Sequence, residues 1–472
     1  MTLAPKAAQN PDFVHQLVQD YPKFKENRLQ HRRFKHQFLQ ELLLPLSQNG
    51  FEINKAGESF KGRDIQVLTI GAGDIKILMW SQMHGDEATA TMALLDLSNY
   101  LSQNDNADIQ ELLQRVTLYF VPMLNPDGAE QFQRRTAQGI DMNRDALALQ
   151  CPESRILKEF RDRINPHFGF NLHDQNDYYT VGLTEKPATI SFLAPAYNQA
   201  KSINETRLKA MQVIATMNHA LQQLIPDQVA RYDDRFEPRA FGDNIQKWGT
   251  STILIESGPY PNDPEKQQVR LMNYVALITA IYSIAESSYQ VRTHEEYEAI
   301  PENYENLNDV MIRGIKVVEG NKAYSLDIAI RKQEFDQNGS FPVYYGGRIE
   351  DAGDLSTKYG YREIVAKDLI YAPAKIYPEV LTDLDAARKL PLADLLAQGY
   401  TAIRLQVMPT SKACFTLDIL GSETTPRWGR RPELIASFLM MRDSTIAYAV
   451  INGFVHKIGE PVEKSAHGWV FR

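Results

Sequence analysis

Cysteine is almost missing from this chain. Its two copies, Cys151 and Cys414, stand far apart, which excludes a disulfide framework and a thiolate metal site, because both need clustered cysteines; both are expected to be reduced and structural. Long apolar runs are missing as well. No segment approaches the ~20 apolar residues of a membrane span, and the start, Met1-Thr2-Leu3-Ala4-Pro5-Lys6, continues into polar residues rather than the apolar core of a signal peptide. A soluble, cytoplasmic protein with no membrane partner is the expectation. Positive charge is in deficit: 51 Lys and Arg against 59 Asp and Glu give a net charge of -8. A chain without a basic surplus has no electrostatic footprint for nucleic acid, so no such partner is expected. Low-complexity tracts and internal repeats are absent too.

What is present is ordinary globular usage, 43% hydrophobic and 23% charged, enough apolar material for a large core. At 472 residues the chain exceeds the roughly 250–300 that one core serves, so two domains are expected. Residues 12–48 read as one or two helices, with Phe34, Phe38 and Leu42 at four-residue spacing and Arg28, Arg32, Arg33 and Lys35 forming a solvated face. Residues 65–70 and 75–81 are β-type runs separated by Gly71-Ala72-Gly73-Asp74, a hairpin-like turn signal. A helix over 88–101, a strand over 116–121, a helix over 153–163 and a strand over 167–172 follow. Then come a helix over 206–224, a strand over 251–255 and a closing helix over 267–286. Such alternation predicts an α/β domain with a mixed, largely parallel central sheet flanked by helices. Beyond a plausible linker at 303–309 the texture turns β-rich, with strands expected at 310–318, 323–331, 341–349 and 448–455 and a helix at 383–397, a smaller α+β domain. The loop Arg427-Trp428-Gly429-Arg430-Arg431 reads as a solvated turn, with stacking on a sugar or base as its sharper alternative.

Three residues stand just past expected strand ends, where α/β sheets bind their ligands. The run from Met79 to Trp80 leads into Ser81-Gln82-Met83-His84-Gly85-Asp86-Glu87, a histidine and a carboxylate three residues apart. His173 follows the strand at 167–172, and Glu256 follows the strand at 251–255. Catalytic zinc takes three nitrogen, sulfur or oxygen ligands and leaves a place for water, and these residue types qualify. Each taken singly is as readily a capping carboxylate or a core histidine.

Between them lie Asn125-Pro126-Asp127-Gly128, Arg134-Arg135-Thr136 and Asp141-Met142-Asn143-Arg144; the later runs are Asn171-Leu172-His173-Asp174 and Leu254-Ile255-Glu256-Ser257-Gly258. In this order the motifs resemble the zinc carboxypeptidases of the carboxypeptidase A-like metallocarboxypeptidase family, over roughly residues 58–290. The resemblance implies one zinc ion per chain held by His84, Glu87 and His173, with Glu256 as the general base. It implies that Asn143 and Arg144 grip a substrate's terminal carboxylate and that Arg134 polarises the scissile carbonyl, with the adjacent Arg135 as the alternative register. Asp141 would orient a zinc-bound histidine. Asp86 has no assigned role.

The segment between His173 and Glu256 departs from the family pattern. The family's mobile tyrosine should fall there, with Tyr178, Tyr179 and Tyr232 as candidates, and Asp243 would favour an amino-bearing substrate side chain unless it is a surface carboxylate. The expected organisation is a helical segment over 1–57, a catalytic domain over 58–302 and an accessory domain of unassigned role over 303–472. The expected activity is hydrolytic removal of a C-terminal residue from a peptide or amino-acid conjugate with a free carboxylate. A deacylase or amidase acting on N-acyl amino acids is the second reading, and an inactive peptide- or glycan-binding module the third. The sequence does not specify an oligomeric state.

Overall fold

All seven residues of Ser251–Ser257 are buried, and a strand without polar alternation belongs in the middle of a sheet covered on both faces. The computed structural model describes residues 11–103, 105–336, 339–340, 343–410, 415–462 and 470–471; Cys414 lies outside them, and Cys151 is a buried free thiol. The chain forms two compact units divided between Glu305 and Asn306, with residues 339–340 joining the first.

In chain order the first unit contains α1 (Pro11–Phe24), α2 (His36–Leu43), β1 (Glu52–Glu58), β2 (Asp64–Ile70), β3 (Ile75–Trp80), α3 (Thr89–Leu101) and α4 (Ala107–Arg115). It continues with β4 (Val116–Val121), α5 (Pro126–Gln131), α6 (Pro152–Ile164), β5 (Phe168–Asp174), β6 (Tyr179–Val181) and β7 (Ile190–Leu193). It ends with α7 (Glu205–Leu221), β8 (Val229–Arg231), α8 (Phe241–Lys247), β9 (Ser251–Ser257), α9 (Gln267–Ala285), α10 (His294–Glu298) and β10 (Asn303–Glu305). Eight strands make one sheet in the order β1-β2-β4-β3-β5-β9-β7-β8. Its centre, β4-β3-β5-β9, is parallel, and antiparallel pairs flank it. From β3 the chain moves to β4 on one side and then to β5 on the other, so the order reverses between β3 and β5. Ligand sites of open α/β sheets form beyond the strand ends at such a reversal.

Alternation along the strands feeds two cores. Ile77 and Met79 of β3 face the layer of α3, α7 and α9, while Leu78 and Trp80 face Leu157 and Phe160 of α6 and Phe241 and Ile245 of α8. Helix α9 is apolar nearly all round, with sixteen buried residues, as a helix between layers must be. Inside it Arg270 and Asp96 of α3 form an ion pair with no exposure of either side chain.

Several sequence expectations need correction. The runs at 65–70 and 75–80 are not a hairpin, because β4 lies between them. The loop joining them is pressed against the start of β4: a β-carbon on Gly73 would come within 1.9 Å of the Arg115 carbonyl carbon. Arg32 and Arg33 are not solvated; both are buried, and the Arg33 guanidinium lies 4.0 Å from the Phe132 ring centre. Residues 303–309 are no linker, since β10 pairs with β6 and a 13-residue strand starts at Leu307.

In the second unit Leu307–Glu319, Lys322–Phe335 and Tyr344–Gly353 form an antiparallel meander, extended by Ile370–Pro373, Phe438–Arg442, Thr445–Ile451 and Phe454–Lys457. The last two are the arms of a hairpin where one strand over 448–455 was expected. Residues 383–397 form two short helices, Leu384–Ala387 and Leu392–Ala397, beside a four-stranded sheet of parallel pairs. Arg430 of the basic loop is engaged by Glu319, Tyr324 and the Tyr371 ring. No helix among the described residues is long and apolar enough to cross a membrane.

Candidate active site

Beyond β3 the chain turns through Gln82 in the left-handed region, φ +46°. It closes the His84–Glu87 turn with the Glu87 N–H donated to the His84 carbonyl at 3.2 Å. That turn puts the two side chains on one side, with His84 Nδ1 2.7 Å from Glu87 Oε1. A second loop clamps it. Asn125 caps α5 by accepting the Gly128 N–H at 2.9 Å and donates its Nδ2 to the Met83 carbonyl at 3.3 Å. Asp127 takes the Arg63 guanidinium, the Ser59 hydroxyl and the Lys61 N–H. Gly85 lies so close to this loop that a β-carbon would sit 2.1 Å from the Gly128 carbonyl carbon, so the Asn125–Gly128 run acts as a scaffold for the turn.

From β5, His173 brings Nδ1 to 2.6 Å from Glu87 Oε2, and the Asp174 N–H donates to the same oxygen at 3.3 Å. One ligand atom each from His84, Glu87 and His173 lies within 4.8 Å of the others. His84 Nε2 is 3.1 Å from Asp141 Oδ1, so both ring nitrogens face a carboxylate oxygen; with a proton held at Nε2, the Nδ1 lone pair faces Glu87. A lone pair 2.7 Å from a carboxylate oxygen needs a proton or a cation between them. Ligand atoms about 3.4 Å apart surround zinc at its usual bond lengths, so a small opening of the cluster suffices. The set of two imidazoles and one carboxylate fits zinc, and Asp141 is hydrogen-bonded to one of the imidazoles.

The electrostatics reflect how close these groups are. Burial opposes charge on His84, but Glu87 and Asp141 outweigh it and raise the imidazole to about 9. Burial also disfavours the Glu87 carboxylate, yet the His84 and His173 charges hold it far below its usual range. His173 is lowered by burial. Glu256 pairs in register with His173 on the neighbouring parallel strand, so both side chains emerge on one face. Burial, then the Glu87 charge, raises its carboxyl well above the ordinary value. Glu256 lies within β9 and caps no helix.

The cluster forms the floor of a cleft of ≈ 620 Å³. Arg134, Asn143, Arg144, Tyr232, Asp243 and Glu256 line it. Arg134 donates to Glu87 at 3.2 Å and to Asp141 at 3.0 Å. The neighbouring Arg135 is not among the lining residues; it donates to the Gly139 carbonyl at 3.0 Å, so the structure offers Arg134 to the cleft and withdraws Arg135. Asn143 Oδ1 accepts the Phe241 N–H at 2.9 Å, and Arg144 faces Glu237 at 3.4 Å. Asp243 is no surface residue: it is 7% exposed, accepts the Glu237 N–H at 3.1 Å, and burial pushes its carboxyl up to about 7. Tyr179 and Tyr232 line the cleft together, with ring centres 6.2 Å apart, whereas Tyr178 does not line it. Asp86 is half-buried, with Oδ1 buried and unpartnered among the described residues.

Sequence reasoning missed Arg235, Glu237 and the strand Asn303–Glu305, all part of the cleft wall. The three-residue strand carries no apolar period, and its place is set by pairing with β6 and by Asn303 Nδ2 donating to Gln175 Oε1 at 3.0 Å.

Residues 39–213 match the family model described as zinc carboxypeptidase. Over 133 residues the chain is 32% identical to a probable carboxypeptidase 2 of Trichophyton verrucosum, covering 27% of this chain and 25% of that protein. It is 38% identical over 144 residues to carboxypeptidase SOL1 of Arabidopsis thaliana, covering 25% and 29%. The chain thus spans about a quarter of the length of the curated relatives it matches. A metallo-carboxypeptidase from Pseudomonas aeruginosa, solved with (2-guanidinoethylmercapto)succinic acid, superposes with a TM-score of 0.44 at 20% identity, covering 52% of this chain and 68% of that one.

Proposed function

We propose, from the match of residues 39–213 to the zinc carboxypeptidase family model, that this chain is a zinc-dependent hydrolase that removes the C-terminal residue of a peptide. The observation that carries the reading is the convergence of His84, Glu87 and His173 beside Glu256 in a cleft that also holds Arg134 and Arg144. One zinc ion per chain held by the three ligands would supply Lewis acidity and lower the pKa of a nearby water.

The chain's own residues do the rest. Glu256, buried on the strand next to His173, takes a proton from the attacking water and returns it to the leaving amine. Arg134 directs guanidinium N–H groups to where the scissile carbonyl oxygen gains charge. Arg144 offers a planar fork to the terminal carboxylate, which distinguishes a chain end from a chain interior, with Asn143 beside it. Tyr232 is a cleft residue able to bond the same end of the substrate, and Asp243 favours a substrate side chain carrying an amino group. Asp141 keeps the His84 proton on Nε2.

Two comparisons test this. A peptide with a free C-terminus should lose its last residue, while its C-terminally amidated twin, which forfeits a charged hydrogen bond of about 1.5–3 kcal/mol, reacts roughly ten- to a hundredfold more slowly. Equal rates on both would refute the exopeptidase reading. Arg134→Ala should lower kcat/KM about 10²–10³-fold, whereas Arg135→Ala should keep it within about twofold; the reverse ranking would move the oxyanion role to Arg135.

A further inference from the structure

A second cleft, of ≈ 240 Å³, opens between α1, α3, α4 and α9, away from the ligand cluster. Helix α3 leaves that cluster at Thr89 and reaches Tyr100 about 17 Å along its axis at 1.5 Å per residue. Four rings build the wall. Phe13 meets Tyr282 edge-on with centroids 5.4 Å apart, and Phe24 meets Tyr100 in the same way at 5.4 Å. A hydrogen bond of 3.2 Å between the two tyrosine hydroxyls joins the pairs.

Carboxylates stand among the polar and apolar side chains of the remaining lining: Asp20, Asp108 and Glu286 contribute them beside α1, α4 and α9, and Lys23 pairs with Asp20. Arg115, which also lines the cleft, is held by Glu111 at 2.8 Å. Negative potential reaches the rings: burial raises both tyrosine hydroxyls, and the Asp108 charge adds to it. An anion is repelled here, and a neutral guest gains only the apolar wall. A cation gains the aromatic wall and the carboxylates as well.

We propose that this cleft binds a small organic cation, an ammonium group carried on an aromatic or alkyl body. Its volume lies below the roughly 300–1,000 Å³ of sites for drug-sized ligands, which limits the guest to a compact amine. Neither the zinc ligands nor the cleft above them takes part.

Calorimetric titration of the full chain with 2-phenylethylammonium and with its neutral isostere 2-phenylethanol tests this. The expected result is saturable binding of the cation at least about tenfold tighter than that of the alcohol. In the triple variant Asp20→Asn, Asp108→Asn, Glu286→Gln the two affinities should fall within about twofold of each other. All three positions are at least partly exposed and none lies in the hydrolytic cleft, so the variant keeps its fold and the activity of that cleft. Equal affinity for the two probes, or no saturation by the cation, overturns the proposal. So does a preference that survives in the triple variant, which would place the binding elsewhere.

Discussion

Replacing Glu256 with glutamine is expected to lower kcat by about 10²–10⁴, the usual contribution of a positioned general acid–base group, while zinc stays bound. The side chain is 8% exposed, so the amide keeps the packing and removes only the ability to accept a proton. None of the three converging ligand residues is altered, and Glu256 is not among them. Activity and zinc content measured on the same preparation separate the two roles. Turnover within a few-fold of wild type would remove Glu256 from the chemistry, and loss of zinc along with activity would make it a ligand or a support for one.

The second large effect concerns stability rather than turnover. Asp96 accepts Arg270 Nε at 2.6 Å, the Tyr21 hydroxyl at 2.8 Å and the Glu26 N–H at 2.7 Å. Arg270 donates in turn to the Leu29 and Glu26 carbonyls. The network fastens the segment after α1 to α3 and α9, and the ion pair has no exposure. Asp96→Ala leaves a buried guanidinium without its counter-ion, at a cost of about 3–5 kcal/mol. Against a typical total of roughly 5–15 kcal/mol this is a large share, and the melting temperature should fall by about 6–15 °C. Replacing the pair together, Asp96→Leu with Arg270→Met, should cost less than Asp96→Ala alone, because no charge is stranded. Thermal unfolding followed by circular dichroism checks both, and a shift under 2 °C for Asp96→Ala would contradict the assigned role.

Much of the catalytic unit was legible in the sequence, for reasons particular elements show. Strands β5 and β9 carry short apolar stretches, 168–170 and 253–255, and α3 and α9 are long apolar segments, so composition marks them. His84, His173 and Glu256 could be read as a set because each follows or ends such a run. The remainder depended on pairing partners that no local pattern encodes. The glycine-rich loop after β2 has the chemistry of a hairpin turn, yet β4 from forty residues further on occupies the space between the two strands. Asn303–Glu305 has no alternation to mark it and becomes a strand because β6 supplies its hydrogen bonds. Arg134 and Arg135 are adjacent and chemically identical; the fold separates them by giving one to Glu87 and Asp141 and the other to the Gly139 carbonyl. Asp243 read more readily as a surface carboxylate than as a pocket residue, and its burial follows from α8 packing against β9.

The proposed hydrolase depends on a zinc ion held jointly by His84, Glu87 and His173. Elemental analysis of protein purified without chelator, compared with His173→Ala, tests it most directly. One zinc per chain in the wild type, falling close to zero in the variant with the circular dichroism spectrum unchanged, is the predicted result; a wild type with far less than one zinc, or a His173→Ala variant that keeps its full complement, would contradict it.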